Sequence, residues 1–309
     1  MNRFRADLVL LLVALIWGSA FAVQRVAARY FDAFTFNGLR FLLGGLVLLP
    51  FSRLNPFHRA RSAKVGANSD QASPSRGSFL DRKALLFMSM AGGLIFGAAG
   101  LQQAGLKTTT AGNAGFITTL YVVLVPILLL VFWKERIRWI SWLGAGIAIL
   151  GSLLLSTRGT LQLAFGDALV MISALLWALH VIVVSRAVRH MDVLTFSAGQ
   201  YIIAGLLNMV ISLLIRAPFS GFTSGWWTIL YIGLLSTAVG YTLQVLGQKY
   251  APPTDATILL SMEAVFAALT GFIFLGETMH PVQMVGCGLI LMAVLMIQFN
   301  SARSGVTQS

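Results

Sequence analysis

The feature that most constrains this chain is a succession of long apolar runs separated by short polar gaps. A helix needs about 20 predominantly apolar residues to cross the hydrocarbon core of a bilayer. Ten runs meet or approach that length: 7–27, 36–52, 84–104, 113–132, 139–156, 166–186, 195–215, 226–247, 256–275 and 282–299. Inside lipid each run must satisfy its own backbone N–H and C=O groups, which a helix does. Composition agrees, since 57% of residues are hydrophobic and only 10% charged, against about 25% charged in a soluble domain. The expectation is an all-α membrane protein with ten transmembrane helices.

The net charge of +12 would suggest nucleic acid as a partner in a soluble protein. Here the basic residues sit in the gaps between apolar runs, where they set membrane orientation instead, so no nucleic-acid role is expected. With the N-terminus in the cytoplasm, 16 Lys and Arg fall inside and five outside (Arg25, Arg29, Lys107, Arg158 and Arg216), with Arg40 within a span. Both termini are therefore expected in the cytoplasm. Much of the bias comes from residues 54–81, rich in Arg, Ser, Asn and Pro, which read as a disordered cytoplasmic loop. Arg3, Arg5, the run from Leu8 and Ala20-Phe21-Ala22 imitate a cleavable signal peptide. The recurrence of the same segment later in the chain favours a permanent span. The single cysteine, Cys287, leaves no intramolecular disulfide and no Cys-based zinc site.

That recurrence is an internal repeat. A shift of 160 residues superposes Asp7 on Asp167, Trp17 on Trp177, Arg29 on Arg189, Asp32 on Asp192, Thr35-Phe36 on Thr195-Phe196 and Gly45 on Gly205. Beyond the long loop the shift becomes 142, matching Leu101-Gln102 to Leu243-Gln244, Gly105 to Gly247, Lys107 to Lys249 and Glu135 to Glu277. An inserted loop in the first half produces such a change of offset. Five helices per half is an odd number, so the halves would enter the membrane from opposite sides. Inverted repeats of this kind recur in secondary transporters around a midplane site. The expected organisation is a first repeat over 1–156, a second over 157–299 and a cytoplasmic tail over 300–309.

The segments LIWGSAFAVQRVA (15–27) and TFNGLRFLLGG (35–45) resemble the first two helices of the EamA-like branch of the drug/metabolite transporter superfamily. TTLYVVLVPILLLVFWKERI (118–137) and LSMEAVFAALTGFIFLGETM (260–279) resemble that branch's small-residue helix ending in Gly-Glu or a variant. The resemblance implies a multi-pass inner-membrane carrier with ten helices, often an exporter of amino acids or other small metabolites. It also implies a cavity lined by helices 1, 3, 4, 6, 8 and 9, with helices 2, 5, 7 and 10 as outer support. The family commonly has Pro where Val122 and Ala264 stand here. Pro126 is expected to kink the fourth segment one turn later, and the ninth has no proline to bend it.

Ten residues stand out as candidates for a substrate or proton pathway: Glu263, Tyr121, Gln102, Gln244, Trp17, Trp177, His180, Tyr241, Ser261 and Arg40. A carboxylate well inside a span costs a few kcal/mol, which makes an idle role for Glu263 expensive. It reads as a counter-charge for a substrate amine or as a proton carrier, or else as a structural carboxyl bonded to a Tyr or Gln. Its repeat partner is Tyr121. Gln102 and Gln244, matched by the repeat, either face a hydrated cavity or clasp neighbouring helices. Trp17 and Trp177 either wall a pocket or pack between helices. His180 either titrates or is a hydrogen-bonded structural group, and Tyr241 and Ser261 join by position along the same helices. Arg40, near the predicted outer face, either snorkels to the headgroups or binds a substrate carboxylate. Glu135 and Glu277 read as helix-junction hinges, and Asp7, Asp167 and Asp255 as helix caps. Gly93, Gly97, Gly144, Gly146, Gly286 and Gly288 suit close helix packing within a monomer or a homodimer.

No nucleotide-binding loop, metal-ligand cluster or nucleophile elbow occurs in the sequence, so no cofactor and no enzymatic activity are expected. The functional expectation is a secondary active transporter for a small polar, amino-acid-like metabolite, working by alternating access and exporting it. Its partners would be that small-molecule solute and the lipid bilayer, with movement driven by proton coupling or running downhill. A flippase of a lipid or lipid-linked sugar would share the architecture.

Overall fold

The computed structural model describes residues 1–54, 82–109, 111–156, 165–275 and 279–306, and no strand occurs among them. The first half comprises α1 (Arg3–Ala27), α2 (Ala33–Leu54), α3 (Arg82–Gly105), α4 (Ala111–Thr119), α5 (Tyr121–Trp133) and α6 (Trp139–Ser156). The second comprises α7 (Phe165–Ala187), α8 (Val193–Leu214), α9 (Phe222–Leu230), a π-helix (Tyr231–Tyr241), α10 (Thr242–Gln248), α11 (Pro253–Leu260), α12 (Met262–Leu275) and α13 (Pro281–Val306). Among the described residues eight helices are long and apolar enough to cross a membrane. The fifth apolar run forms a shorter helix, Trp139–Leu155. The ninth is broken into two pieces, neither of which meets that length alone. The chain is a multi-pass membrane protein.

One expectation about bending is corrected, that of the ninth run, and the fourth run has a break that the sequence did not signal. The break in the fourth run falls at Leu120, and Pro126 lies inside continuous α5. The ninth run breaks at Ser261 although no proline is present. The two breaks precede Tyr121 and Met262, so they fall at equivalent places under the 142-residue offset to within one residue. The last helix continues to Val306, past the expected boundary at 299. The loop expected over 54–81 lies outside the described residues save for Leu54, and Glu277 lies outside them as well.

The cap assignments also change. Asn2 caps α1, accepting from Arg5 N–H, and Asp192 caps α8, accepting from Leu194 and Thr195 N–H at 3.1 Å. Asp32, the repeat partner of Asp192, accepts from Phe34 N–H at the start of α2. Asp7 instead lies a turn inside α1 and bonds Arg3. Asp255 is fully buried and joins three elements: it pairs with Arg3 (3.1 Å) and Arg138 (2.5 Å) and accepts from Ser141 Oγ. Asp167 accepts from the Thr109 hydroxyl across the gap between α3 and α7. Charge-assisted and hydroxyl hydrogen bonds from neighbouring elements engage these carboxyls. Glu135 lies in the linker between α5 and α6, paired with Arg186 at 2.8 Å.

Packing runs mainly between α2 and α8, α6 and α13, α3 and α7, α3 and α8, and α1 and α12. The repeat-matched Gly45 and Gly205 sit on the facing sides of α2 and α8, against Ile202 and Leu42 respectively. Between α6 and α13 the backbones meet at Gly151 and Gly286, where a Cβ on either would lie within 2.7 Å of the other's carbonyl oxygen. Glycine is required at that crossing. Gly146 and Gly288 have open space around them. Large apolar side chains such as Phe51, Phe132, Leu214 and Phe299 face outward, where acyl chains replace water as solvent.

Candidate functional site

A cavity with about 500 Å³ of atom-free space, its open mouth included, lies among α1, α3, α4, α5, α7, the π-helix, α10, α11 and α12, with one residue from α2. Its lining is Trp17, Phe21, Gln24, Arg40, Gln102, Thr118, Tyr121, Trp177, Val181, Ser236, Tyr241, Gln244, Leu260 and Glu263. Ten of these fourteen form pairs under the two sequence offsets: Trp17 with Trp177, Phe21 with Val181, Gln102 with Gln244, Thr118 with Leu260, and Tyr121 with Glu263. Gln24, Arg40, Ser236 and Tyr241 line it without a paired counterpart.

The pairs differ in chemistry where they meet polar groups. The Tyr121 hydroxyl donates to Glu263 Oε1 at 3.1 Å, so two residues 142 apart touch directly. Their side chains enter the cavity immediately after the breaks in the fourth and ninth runs, where the helix axis is interrupted. Gln102 Nε2 donates to Thr118 Oγ1 at 3.0 Å. On the other side the hydroxyl is replaced by Leu260, and Gln244 Oε1 is buried without a partner among the described residues. A buried amide oxygen without a donor costs about 1–3 kcal/mol.

Tyr241 is the centre of an aromatic cluster. Its ring centroid lies 4.6 Å from Trp17, 5.7 Å from Trp177 and 6.1 Å from Phe41 and Tyr201. It closes the π-helix, a wider turn of a kind that recurs at functional sites. The Trp17 indole N–H reaches the Ser236 carbonyl in that segment at 3.4 Å, through the space that Gly240 leaves beside the indole. Nothing in the hydropathy of 226–247 signals this departure from an α-helix. The apolar period survives a change in turn width, so the sequence reading missed Ser236. Phe21, Gln24, Thr118, Val181 and Leu260 were also missed, although applying the offsets to Trp17 and Tyr121 and stepping one turn along would have reached Phe21, Thr118 and their partners.

Eight of the ten candidates line the cavity. His180 does not: it lies fully buried behind the wall, edge-on to Trp177 at 5.7 Å, with Nε2 sharing a hydrogen bond with Gln200 Oε1 at 3.0 Å. Ser261 is also absent, because its hydroxyl turns back along its own chain and donates to the Ile258 carbonyl at 2.6 Å. Arg40 overturns the snorkelling expectation. It is 1% exposed, donates from Nε to Asn37 Oδ1 at 2.7 Å, and stacks over Phe41 at 4.4 Å and Phe36 at 5.4 Å. The second apolar run thus contributes a lining residue, contrary to its expected place as outer support.

The EamA-like transporter family model matches residues 4–157 and again 164–299. The chain belongs to the EamA-like transporter family. An uncharacterized transporter of Archaeoglobus fulgidus is 32% identical over 296 residues, covering 96% of this chain and 86% of that protein. The uncharacterized inner membrane transporter YedA of Escherichia coli (strain K12) is 24% identical over 92% of this chain and 87% of its own length. The threonine/homoserine exporter RhtA of the same strain is 32% identical over 136 residues, 41% of this chain and 43% of RhtA. A solved crystal structure superposes with a TM-score of 0.74 over 98% of this chain and 99% of that one, at 18% identity, which shows a shared fold. As an EamA-like protein the chain is a membrane transporter.

Proposed function

We propose that this transporter carries a small polar, amino-acid-like metabolite across the inner membrane by alternating access, in the direction of export. The observation that carries the reading is the pairing of the cavity wall. Five pairs related by the 160- and 142-residue offsets face one space, and one pair, Tyr121 and Glu263, is in hydrogen-bond contact. Two equivalent groups in a twofold arrangement touch only near its axis, which favours two inverted halves meeting around a midplane site. A carrier built so can close either end by rocking one half on the other while the site stays in place.

Glu263 is the group that ties solute movement to protons, because it is a carboxyl buried in the pathway whose hydrogen-bond partner among the described residues is a phenol. Trp17, Trp177 and Tyr241 wall the solute, and Gln102 and Gln244 supply its hydrogen bonds. Export and an inner-membrane location are supported by what RhtA and YedA are named for, and cytoplasmic termini by the distribution of Lys and Arg. Both a monomer and a homodimer accommodate this cavity, which lies within one chain. No observation favours the flippase reading.

The test is uptake and efflux of a mixed metabolite pool by proteoliposomes, with and without an imposed pH gradient. Movement of water-soluble metabolites only in protein-containing vesicles is expected, with a gradient response that is lost in Glu263→Gln. Failure of every water-soluble solute to move, with the protein folded, would overturn the proposal and make lipid flipping the next assay. Full gradient response in Glu263→Gln would remove the proton role.

A further inference from the structure

We propose that Asp255 is a gate residue: its carboxylate holds the cavity shut at the end where α1 begins, and it parts from Arg3 and Arg138 in every transport cycle. This rests on the alternating-access reading above and adds to it which end is latched and by which groups.

Three ion pairs join the two halves among the described residues, and all three lie at this end. Arg3 in α1 and Arg138 before α6 both reach Asp255 at the start of α11, at 3.1 and 2.5 Å, and Arg186 at the end of α7 reaches Glu135 at 2.8 Å. Ser141 Oγ adds a hydrogen bond to Asp255 at 3.2 Å, and Asp7 holds Arg3 from its own helix at 2.8 Å. The pair at the opposite end, Lys107 with Asp32, stays within the first half. The sequence does not set out the Asp255 charges twice. The two offsets place Asn113 where Asp255 stands, His280 where Arg138 stands and Leu163 where Arg3 stands.

The cavity is displaced away from this network. On α1 its lining residues are Trp17, Phe21 and Gln24, the last of them three residues before the helix ends at Ala27. On α7 the counterparts Trp177 and Val181 line it, but Val184, the counterpart of Gln24, is fully buried and does not. Asp7 lies ten residues before Trp17, about 15 Å along the helix. Between them Leu10, Val13 and Ala14 are fully buried, and Leu10 fills the space that Gly247 leaves on α10. Ile258 and Leu259 form the same kind of layer between Asp255 and the lining residue Leu260. Opening this end means drawing α1 and the α6 linker away from α11, which the Asp255 contacts oppose directly. Buried ion pairs add little to stability compared with apolar packing. They do suit a contact that must open: Arg3 and Arg138 are already 24% and 41% exposed, so on parting the charges regain hydration, which an apolar plug does not.

The experiment is thiol labelling of the full chain in sealed vesicles whose medium faces the start of α1. The single native thiol is removed by Cys287→Ser, and a membrane-impermeant maleimide is the probe. Ala14→Cys places a reporter in the sealing layer, with Val13→Cys as a second reporter of that layer, and Ala204→Cys places a control at a fully buried position of α8. Asp255→Asn should speed labelling of the Ala14→Cys reporter about tenfold or more, since a hydrogen bond to a charged group is worth at least that factor in an equilibrium. Arg138→Gln should act in the same direction, and neither should change labelling of the Ala204→Cys control. Unchanged labelling at the reporter overturns the proposal. So does a rise at reporter and control together, because that is general loosening of the fold. If Asp255→Asn does not fold, Arg138→Gln decides on the same terms. Labelling that ignores both variants in a protein that still moves solute overturns the gate alone. Labelling as expected in a protein that moves nothing upholds the gate and overturns the carrier reading.

Discussion

Glu263, Tyr121 and the two glutamines show how single side chains divide the labour of the site. Tyr121→Phe removes the hydroxyl that donates to Glu263, and the loss of one hydrogen bond to a carboxyl should lower stability by roughly 1–3 kcal/mol. Thermal unfolding in detergent measures this, and transport in the same preparation should fall, since the Glu263 carboxyl loses the contact that positions it. The glutamines give a contrast. Gln102 already has Thr118 as a partner, whereas the Gln244 carbonyl has none among the described residues. Gln102→Leu should therefore destabilise the protein more than Gln244→Leu, because it orphans the Thr118 hydroxyl. Gln244→Leu should weaken solute affinity more. Unfolding midpoints and KM values measured on both variants check the pair of statements, and the reverse order would sink them.

Helix contacts depend on small residues and buried charges at specific crossings. Gly286 meets the Gly151 carbonyl, while Gly288, two residues on, has nothing within 4 Å. Gly286→Leu should force α13 off α6 and cut the yield of folded protein severalfold, and Gly288→Leu should leave it near the original level. Size-exclusion profiles of the two variants distinguish them. The Asp255 cluster is a second such crossing, binding the N-terminus of α1, the linker before α6 and the start of α11. Asp255→Asn keeps the shape but leaves Arg3 and Arg138 without their shared carboxylate. It should cost roughly 2 kcal/mol, in the range for hydrogen bonds to charged groups. The loss should be smaller in high salt, because both arginines are partly exposed.

At the scale of the whole molecule, five pairs of residues separated by 160 or 142 positions line one cavity, and the breaks in the fourth and ninth runs recur in step with them. Five spans in each half would return the C-terminus to the side on which the N-terminus lies. Reporter fusions at Met1 and at Ser309 should therefore both report the cytoplasm, and opposite sides would refute the proposed topology. In that arrangement the charged Asp255 cluster would sit at the cytoplasmic end, while the equivalent region at the other end is held by the Thr109–Asp167 hydrogen bond.

Membership of the EamA-like family, the helical class and the approximate positions of the spans were legible in the order of residues. Hydropathy over 20 residues is a local quantity, and lipid acts on each run separately. The sequence offsets were legible for the same reason, since residues such as Asp7, Trp17 and Gln102 recur at constant spacings whatever surrounds them. The destinations of individual side chains were not. Apolar faces that meet lipid and apolar faces that meet protein read alike in a membrane chain, so the sequence could not show that Arg40 turns inward or that His180 lies behind the wall. Nor could it show that Asp255 would find two arginines in place of its own helix start, or that 231–241 would widen into a π-helix around the Trp17 indole. Each of those outcomes depends on a partner brought in from a distant part of the chain, and only tertiary packing chooses that partner.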